Sequence, residues 1–174
     1  MVFANNTLED IDQIFTLYDA AVAFQKTKFN KHWLPFDREM IINEIHEHRH
    51  FKIVIEDQTA CIFSISFDDA VIWGDDERNH ASIYLHRIVT NPDFRGYKFL
   101  TYIKNWALNY GALHNKKLVR MDTWGDNQKL IDYYVQSGFT FIGLKQMEKA
   151  DNLPKHYEGV SLSLFEIEIE KEIS

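Results

Sequence analysis

One turn in the sequence is well suited to bind a phosphate group. A strand-like apolar segment, Ile83 to Thr90, ends there in Asn91-Pro92-Asp93-Phe94-Arg95-Gly96-Tyr97-Lys98, and an apolar-periodic helix pattern follows at once. Where a strand turns sharply into a helix, several backbone N–H groups lack partners, and the positive end of the helix dipole faces the same spot. We therefore predict an anion-binding turn at this position.

A second motif could in principle hold a metal ion. The run His46-Glu47-His48-Arg49-His50 matches the zinc protease pattern of two histidines one helical turn apart with an intervening glutamate. Such a site needs the motif within a helix, a third ligand and an open metal position. Here the helix pattern runs out and an apolar strand pattern starts at Phe51. A zinc hydrolase that uses His46, Glu47 and His50 is the remote alternative, and we expect no metal.

The composition narrows the class of protein. With 174 residues, the chain is expected to form one domain, residues 1–174, with a sizeable core. A net charge of -7 opposes phosphate attraction and disfavours a nucleic-acid partner. The sequence has no apolar run near the length of a membrane helix. The single Cys61 lies in an alternating apolar run, so we expect a buried, inert thiol and a cytoplasmic protein.

The periodicity predicts helices and strands that alternate along the chain. Thr7 and Asp10 form a capping-box pattern, so the first helix should begin near Leu8. The irregular segment 24–36 is a candidate lid, and the acidic loop 68–77 is expected to be solvated surface. The other predicted elements are a helix from Asp37, a hairpin of Phe51–Glu56 and Ala60–Phe67, a helix from Phe99 that stops at Gly111, a strand Leu118–Thr123, a helix Asn127–Gln136, and strands Phe139–Leu144 and Leu162–Ile169. This order indicates a mixed α/β domain around one central twisted sheet.

Laid out in this order, the chain resembles the GNAT superfamily of acyl-coenzyme A dependent N-acetyltransferases. The stretch Tyr84 to Gly96 is similar to the family's fourth strand and pyrophosphate loop. Asn127 precedes Tyr134 by seven residues, and Tyr134 opens the run Tyr134-Val135-Gln136-Ser137-Gly138-Phe139. The order of elements from Leu8 to Ile169 also matches. The resemblance implies a mostly antiparallel sheet of about six to seven strands flanked by about four helices.

The resemblance also implies a site for acetyl-CoA as the co-substrate. The family pairs the pantetheine arm with fourth-strand backbone, which is Ile88 and Val89 here. It binds the diphosphate on the loop amides, which are those of Arg95, Gly96, Tyr97, Lys98, Phe99 and Leu100, and Asn127 completes the implied set. Family members carry small residues where this chain has Lys98 and Leu100. Those larger side chains could weaken cofactor binding, or Lys98 could lend its charge to a phosphate.

The implied reaction is attack of an amine on the thioester. Tyr134 matches the family's usual acid, and His86 lies on the strand where many members place a glutamate, so His86 or a water is the predicted base. Asp122 and Glu56 are weaker candidates. The acceptor would be a primary amine of a small molecule or a peptide. The rival is a non-catalytic acyl-CoA sensor or a repurposed fold. Trp73 or Trp124 could serve a homodimer contact or the core.

Overall fold

The computed structural model describes residues 1–28, 32–125, 127–148 and 159–170. Within them lie five α-helices and seven β-strands. In chain order they are β1 Val2–Asn5, α1 Ile11–Lys28, α2 Arg38–His46, β2 His50–Ile55, β3 Gln58–Ser66, α3 Ala70–Trp73, β4 Ser82–Thr90, α4 Phe99–Leu113, β5 Leu118–Trp124, α5 Gln128–Gln136, β6 Thr140–Gln146 and β7 Ser161–Glu168.

The strands form one seven-stranded sheet in the order β1-β2-β3-β4-β5-β7-β6. Strands β4 and β5 are parallel, whereas the pairs β1–β2, β2–β3, β5–β7 and β6–β7 are antiparallel. The predicted α/β class with a mixed, mostly antiparallel sheet is confirmed.

Two compact units can be distinguished by their internal contacts. The N-terminal unit comprises Met1–Ile65 and Arg87–Phe99, and the C-terminal unit comprises Ser66–His86 and Leu100–Ser174. A buried apolar cluster in the N-terminal unit contains Ile11, Ile14, Leu17, Tyr18, Ile41, Ile45, Ile62 and Val89. One in the C-terminal unit contains Ile72, Met147, Val160, Leu162 and Leu164. The single-domain expectation stays a prediction.

Local sequence signals set several element boundaries as predicted. Thr7 and Asp10 form the capping box, followed by a 3₁₀ turn at Leu8–Asp10 that leads into α1. Strands β2 and β3 form the predicted hairpin. Within the candidate lid, residues 24–28 belong to α1, and residues 29–31 lie outside the described residues.

Two expectations about element limits were wrong or incomplete. Gly111 does not stop α4, which continues to Leu113. A Cβ on Gly111 would lie 2.5 Å from the Cδ1 of Ile169, so the glycine is explained by close packing rather than by helix termination. The sequence prediction also missed β1, because four residues are too few to show a clear alternation.

Two further expectations concern a membrane-spanning helix and the reactivity of Cys61. Across the described residues, none of the helices is both long and apolar enough to span a bilayer. Cys61 is fully buried, and burial raises the pKa of its thiol to about 12. The expectation of an inert core cysteine is confirmed.

Candidate functional site

The phosphate-binding turn predicted from the sequence lies at the end of the N-terminal unit. The side chain of Asn91 accepts a hydrogen bond from the Asp93 amide at 3.1 Å and starts a 3₁₀ turn at Pro92–Phe94. Among the described residues, the amides of Gly96, Tyr97 and Lys98 donate no hydrogen bond to another backbone group. Unpartnered amides just before a helix are the groups that bind an anion.

The two departures from the family loop differ in their consequences. Lys98 adopts a left-handed backbone with φ of 46°, the region that glycine enters without steric cost. The lysine therefore keeps a glycine-like chain path at a cost in strain. The side chain of Leu100 is buried, so it is directed into packing rather than toward solvent.

Side chains around the turn are largely aromatic. Tyr97 stacks on Phe99 with ring centroids 5.5 Å apart, and it meets Phe94 edge-on at 5.8 Å. The guanidinium of Arg95 lies 5.3 Å from the ring centroid of Phe24 in α1. Arg95 thus contacts an aromatic ring of its own unit, and a diphosphate contact at this turn stays a prediction.

Strand β4 leaves its parallel partner part-way along its length. The pairing with β5 runs from Ser82↔Leu118 to Leu85↔Met121, whereas β5 pairs with β7 over its whole length, Leu118 to Trp124. Arg87, inside β4, has a left-handed φ of 49°. Val89 is buried in the core cluster of the N-terminal unit, so what it offers to a ligand is backbone.

The C-terminal unit gathers three proton-binding side chains, Asp69, His86 and Asp122, which we call the Asp-His-Asp cluster. One ligand atom from each lies within 4.8 Å of the others, a spacing that could also hold a cation. The Nε2 of His86 is 3.7 Å from Oδ2 of Asp69, and both side chains are mostly buried. Tyr84 stacks on the imidazole with centroids 6.5 Å apart.

The two carboxyl groups of this cluster are poor acids. Burial raises the pKa of Asp69 to about 6. Burial and the nearby Asp69 together raise the pKa of Asp122 to about 7. Two carboxylates that share a desolvated site resist simultaneous ionisation, so near neutral pH this cluster readily gains or loses a proton.

Tyr134 lies in the same unit, on α5. Its ring packs against Phe165 at 4.9 Å, and Thr123 lies near its hydroxyl. Burial, with the neighbouring Tyr133 and then Asp122, raises the pKa of Tyr134 to about 12. The phenol therefore stays protonated across the physiological range.

Asn127 has a structural task. Its Oδ1 accepts hydrogen bonds from the amides of Lys129 at 3.1 Å and Leu130 at 3.4 Å, which caps α5. A helix cap contributes about 1 kcal/mol. The residue thus fixes the start of the helix that carries Tyr134.

The acidic loop is not simply solvated surface. Asp69 is mostly buried, and Asp76 accepts a hydrogen bond at 2.8 Å from Arg120, whose side chain is 0% exposed. Glu166 also pairs with Arg120, at 3.2 Å. The expectation of a solvated surface loop was wrong for Asp69 and Asp76. The ion pair with the buried Arg120 and the short helix α3 hold this loop against the rest of the C-terminal unit.

Trp73 and Trp124 belong to packing. Both lie against the buried apolar cluster of the C-terminal unit, and the guanidinium of Arg120 sits 4.4 Å from the Trp73 ring centroid. The structure shows packing for these two aromatics, and the homodimer contact stays a prediction.

The zinc hydrolase alternative is wrong. His46 ends α2 and is exposed, while His50 lies in β2 and is buried. Both ring nitrogens of His50 are occupied, Nδ1 by Asn6 at 2.8 Å and Nε2 by Tyr18 at 2.9 Å. Burial lowers the pKa of His50 to about 3. A motif divided between a helix end and a strand cannot present two histidines on one helical face.

Comparison with known proteins identifies the fold. No family model matches the sequence. A GNAT family acetyltransferase from Listeria monocytogenes is similar over 96% of this chain and 94% of its own, with a TM-score of 0.74 at 21% identity. The chain has the GNAT fold.

One further solved structure and one curated relative carry acetyltransferase names. YncA from Salmonella typhimurium, described as a putative acetyltransferase with its cofactor acetyl-CoA, has a TM-score of 0.69 at 11% identity and covers 100% of this chain and 96% of its own. The uncharacterized N-acetyltransferase YesJ of Bacillus subtilis is 32% identical over 75 residues, which are 43% of this chain and 41% of YesJ. The matched segment therefore spans about two fifths of that curated relative.

Two features of this GNAT-fold chain escaped the sequence analysis. The first is Asp69, which the sequence pattern places in the charged loop 68–77. That loop contains the apolar run Ala70-Val71-Ile72-Trp73, which forms α3. The contact between His86 and two carboxyl groups arises from tertiary structure and had no local signal. Glu56 is a turn residue with a left-handed φ of 48° and is not part of the Asp-His-Asp cluster.

Proposed function

We propose that this protein transfers an acetyl group from acetyl-CoA to a primary amine of a small molecule or a peptide. The observation that carries the proposal is the Asp-His-Asp cluster, three proton-binding groups within 4.8 Å of one another on a fold shared with acetyltransferases. Amine attack requires removal of a proton. A cluster whose carboxyl groups have pKa values of about 6 and 7 is suited to that task.

His86 is the base in this proposal. A neutral imidazole accepts the proton of the amine, directly or through a water. The carboxylate of Asp69, 3.7 Å from Nε2, stabilises the imidazolium that forms. Asp122 is the second proton acceptor of the cluster, since a group with a pKa of about 7 exchanges protons near neutral pH at little cost.

Tyr134 assists the departing thiolate by donating a hydrogen bond. Its pKa of about 12 keeps the proton on the phenol, which is a weaker acid than an ordinary thiol with a pKa near 8.5. Stabilisation of the thiolate, rather than early proton loss, is therefore the role we assign to the hydroxyl.

The turn is suited to bind the diphosphate of acetyl-CoA. When bound, acetyl-CoA would supply the thioester carbonyl that the amine attacks. A Cβ on Gly96 would meet nothing within 4 Å, so the backbone there is open to a ligand. Lys98 keeps the chain path of a glycine, and its exposed ammonium can reach a phosphate. We assign the turn amides of residues 95–100 to the diphosphate and the backbone of Ile88 and Val89 to the pantetheine arm.

The acceptor is expected to be cationic before it reacts. The Asp-His-Asp cluster concentrates two carboxyl groups, and the chain carries a net charge of -7. Such a field attracts ammonium groups and repels anions. The cytoplasmic setting and a homodimer stay predictions.

Two measurements test the proposal in sequence. Acetyl-CoA at about 100 times its Kd should stabilise the folded state by roughly 2.7 kcal/mol, which raises Tm by about 5–10 °C for a chain of this size. Release of free thiol from acetyl-CoA is then followed with a panel of primary amines. A repurposed fold predicts no rise in Tm, and a sensor predicts a rise without thiol release.

A further inference from the structure

Arg87 is held in a conformation that its side chain disfavours. It lies inside β4 with a left-handed φ of 49°. For a residue with a Cβ, this region is disfavoured by roughly tenfold relative to the ordinary regions. Such a conformation persists only when the surrounding structure determines it. The contacts of the Arg87 side chain must therefore account for the backbone.

Those contacts come from three different elements of the N-terminal unit. The Nη2 of Arg87 donates to Ser64 Oγ on β3 at 2.7 Å and to the carboxylate of Glu44 on α2. Tyr18 on α1 interacts electrostatically with the guanidinium. The guanidinium also lies 5.5 Å from the ring centroid of Phe36. We call Arg87, Glu44, Ser64 and Tyr18 the Arg87 anchor.

The Arg87 anchor continues into a second layer that is itself fixed. The hydroxyl of Tyr18 is hydrogen-bonded to Nε2 of His50 at 2.9 Å, whose Nδ1 pairs with Asn6 at 2.8 Å. Glu44, His50 and Asn6 are all buried. Within the described residues, Asn6 Oδ1, Glu44 Oε2 and Arg87 Nε are buried without a hydrogen-bond partner. Each of these side chains nevertheless makes at least one bond within the network, which restricts the alternatives and helps to hold the strained residue in place.

The strained residue immediately precedes the part of β4 assigned to the pantetheine arm. A single left-handed residue within a strand changes the direction of the chain after it. The direction of the Ile88 and Val89 backbone therefore depends on Arg87. Val89 adds a buried side chain in the same unit, which fixes the far side of this short segment.

We infer that Arg87 is a positioning residue, whose anchor holds a left-handed bend in β4 and so orients the Ile88 and Val89 backbone toward acetyl-CoA. The part that concerns acetyl-CoA rests on the proposed function. The part that concerns the bend does not, and the test separates the two.

The test compares the double variants Glu44→Gln/Arg87→Ala and Glu44→Gln/Arg87→Gly. Both remove the two charges together, so neither leaves a buried charge unpaired. Alanine keeps the steric cost of the left-handed region, whereas glycine enters it about as readily as the ordinary regions. Any difference between the variants therefore reports the bend rather than the lost ion pair.

Backbone NMR chemical shifts at residue 87 are the first readout, because they distinguish left-handed from extended residues without any ligand. Wild type should be left-handed and the alanine variant extended. A left-handed alanine variant would overturn the inference, whether or not the protein binds acetyl-CoA.

The second readout is the KM for acetyl-CoA. If acetyl-CoA binds only when the bend is present, the apparent dissociation constant is inversely proportional to the fraction of molecules that have the bend. We expect a rise of about tenfold for alanine and about twofold for glycine, with the KM for the amine unchanged in both. Equal KM values for the two variants would overturn the positioning role. A wild type that shows no acetyl-CoA binding would refute the proposed function and leave the NMR result to decide the bend.

A single substitution covers the case in which the double variants fail to fold. Ser64→Ala removes one contact of the Arg87 anchor without changing any charge, and we expect the KM for acetyl-CoA to rise about threefold as the bend loosens. Thr16→Ala is the matched control, since it loses one exposed hydroxyl bond in the same unit, to the Asp12 carbonyl at 2.9 Å. An unchanged KM in Ser64→Ala would contradict the inference.

Discussion

The two units bury charge in opposite ways. In the Arg87 anchor a guanidinium faces a carboxylate and two hydroxyl groups. In the Asp-His-Asp cluster two carboxyl groups face each other, and their pKa values rise to about 6 and 7. Opposite charges in a network favour one fixed protonation state, whereas like charges make protonation variable. The Arg87 anchor is therefore suited to fix the position of the backbone, and the Asp-His-Asp cluster is suited to transfer protons.

The largest expected effect comes from breaking the proton-moving region. His86→Gln removes the proposed base, and kcat should fall about 100-fold, the lower end of what general base catalysis contributes. The loss should shrink at high pH, where more of the amine is already neutral. Steady-state rates from pH 6 to 10 measure both effects.

His80→Gln is the matched control for this change, because the His80 side chain is exposed. It should keep the wild-type rate. A His86→Gln enzyme as fast as His80→Gln would exclude His86 as the base.

Removal of the Tyr134 hydroxyl should cost at least tenfold in kcat, since the thiolate would leave without a hydrogen-bond donor. Tyr134→Phe keeps the ring that packs on Phe165. Tyr133→Phe, at the adjacent and more exposed position, is the control. If both variants lose activity equally, the effect belongs to packing of α5 rather than to the Tyr134 hydroxyl.

The pH dependence of stability sharpens the contrast between the units. The pKa of Asp122 is raised to about 7, so the folded state binds more protons than the unfolded state between about pH 4 and 7, and this group destabilises the fold as pH rises. The facing groups are Asp69, His86 and Tyr134. The pKa of His50 is lowered to about 3, so in the N-terminal unit stability is lost as pH falls below about 6.5.

Asp122→Asn should therefore raise Tm by about 3–6 °C at pH 8 and by little at pH 4.5. Thermal unfolding at the two pH values measures the difference. Asp75→Asn, at an exposed position of the acidic loop in the same unit, should leave Tm unchanged at both. A gain for Asp122→Asn that is equal at the two pH values would show that the carboxyl group is not held protonated.

The smallest expected effect concerns a strained residue that lacks an anchor of buried partners. Lys98 has a left-handed φ of 46° but is exposed, unlike Arg87. Relief of the backbone strain in Lys98→Gly should raise the free energy of unfolding by about 0.5–1 kcal/mol. The greater conformational entropy of glycine in the unfolded chain offsets part of this gain. Chemical denaturation measures this term.

The same substitution decides what the Lys98 ammonium does. If it contacts a phosphate, the Kd for acetyl-CoA in Lys98→Gly rises despite the relieved strain. If the side chain only widens the loop, the Kd falls. Lys98→Ala separates the two effects, because it removes the charge and keeps the strain.

The sequence predicted the features that depend on local pattern. Thr7 and Asp10 located the first helix, the alternation around Cys61 located the hairpin, and the order of elements led to the GNAT fold. The remaining features depend on contacts distant in sequence. Asp69 joins His86 and Asp122 only after folding, and the role of Gly111 depends on Ile169.

Residue conformations were equally inaccessible to sequence reasoning. The residue types at Arg87 and Lys98 do not indicate a left-handed backbone, since arginine and lysine both disfavour that conformation. His86 was predicted as a base, but its carboxyl partners were not identified. Asn127 was predicted to bind the cofactor, and the structure shows its oxygen capping α5.

The protein's one sulfhydryl group has a practical consequence for assays. Cys61 is sealed inside β3 and is almost entirely un-ionised at neutral pH, so disulfide-exchange dyes, which react with thiolates, should not label the native protein. Colour developed during turnover would then come from released coenzyme alone, and delayed colour in a blank without substrate would report unfolding of the chain.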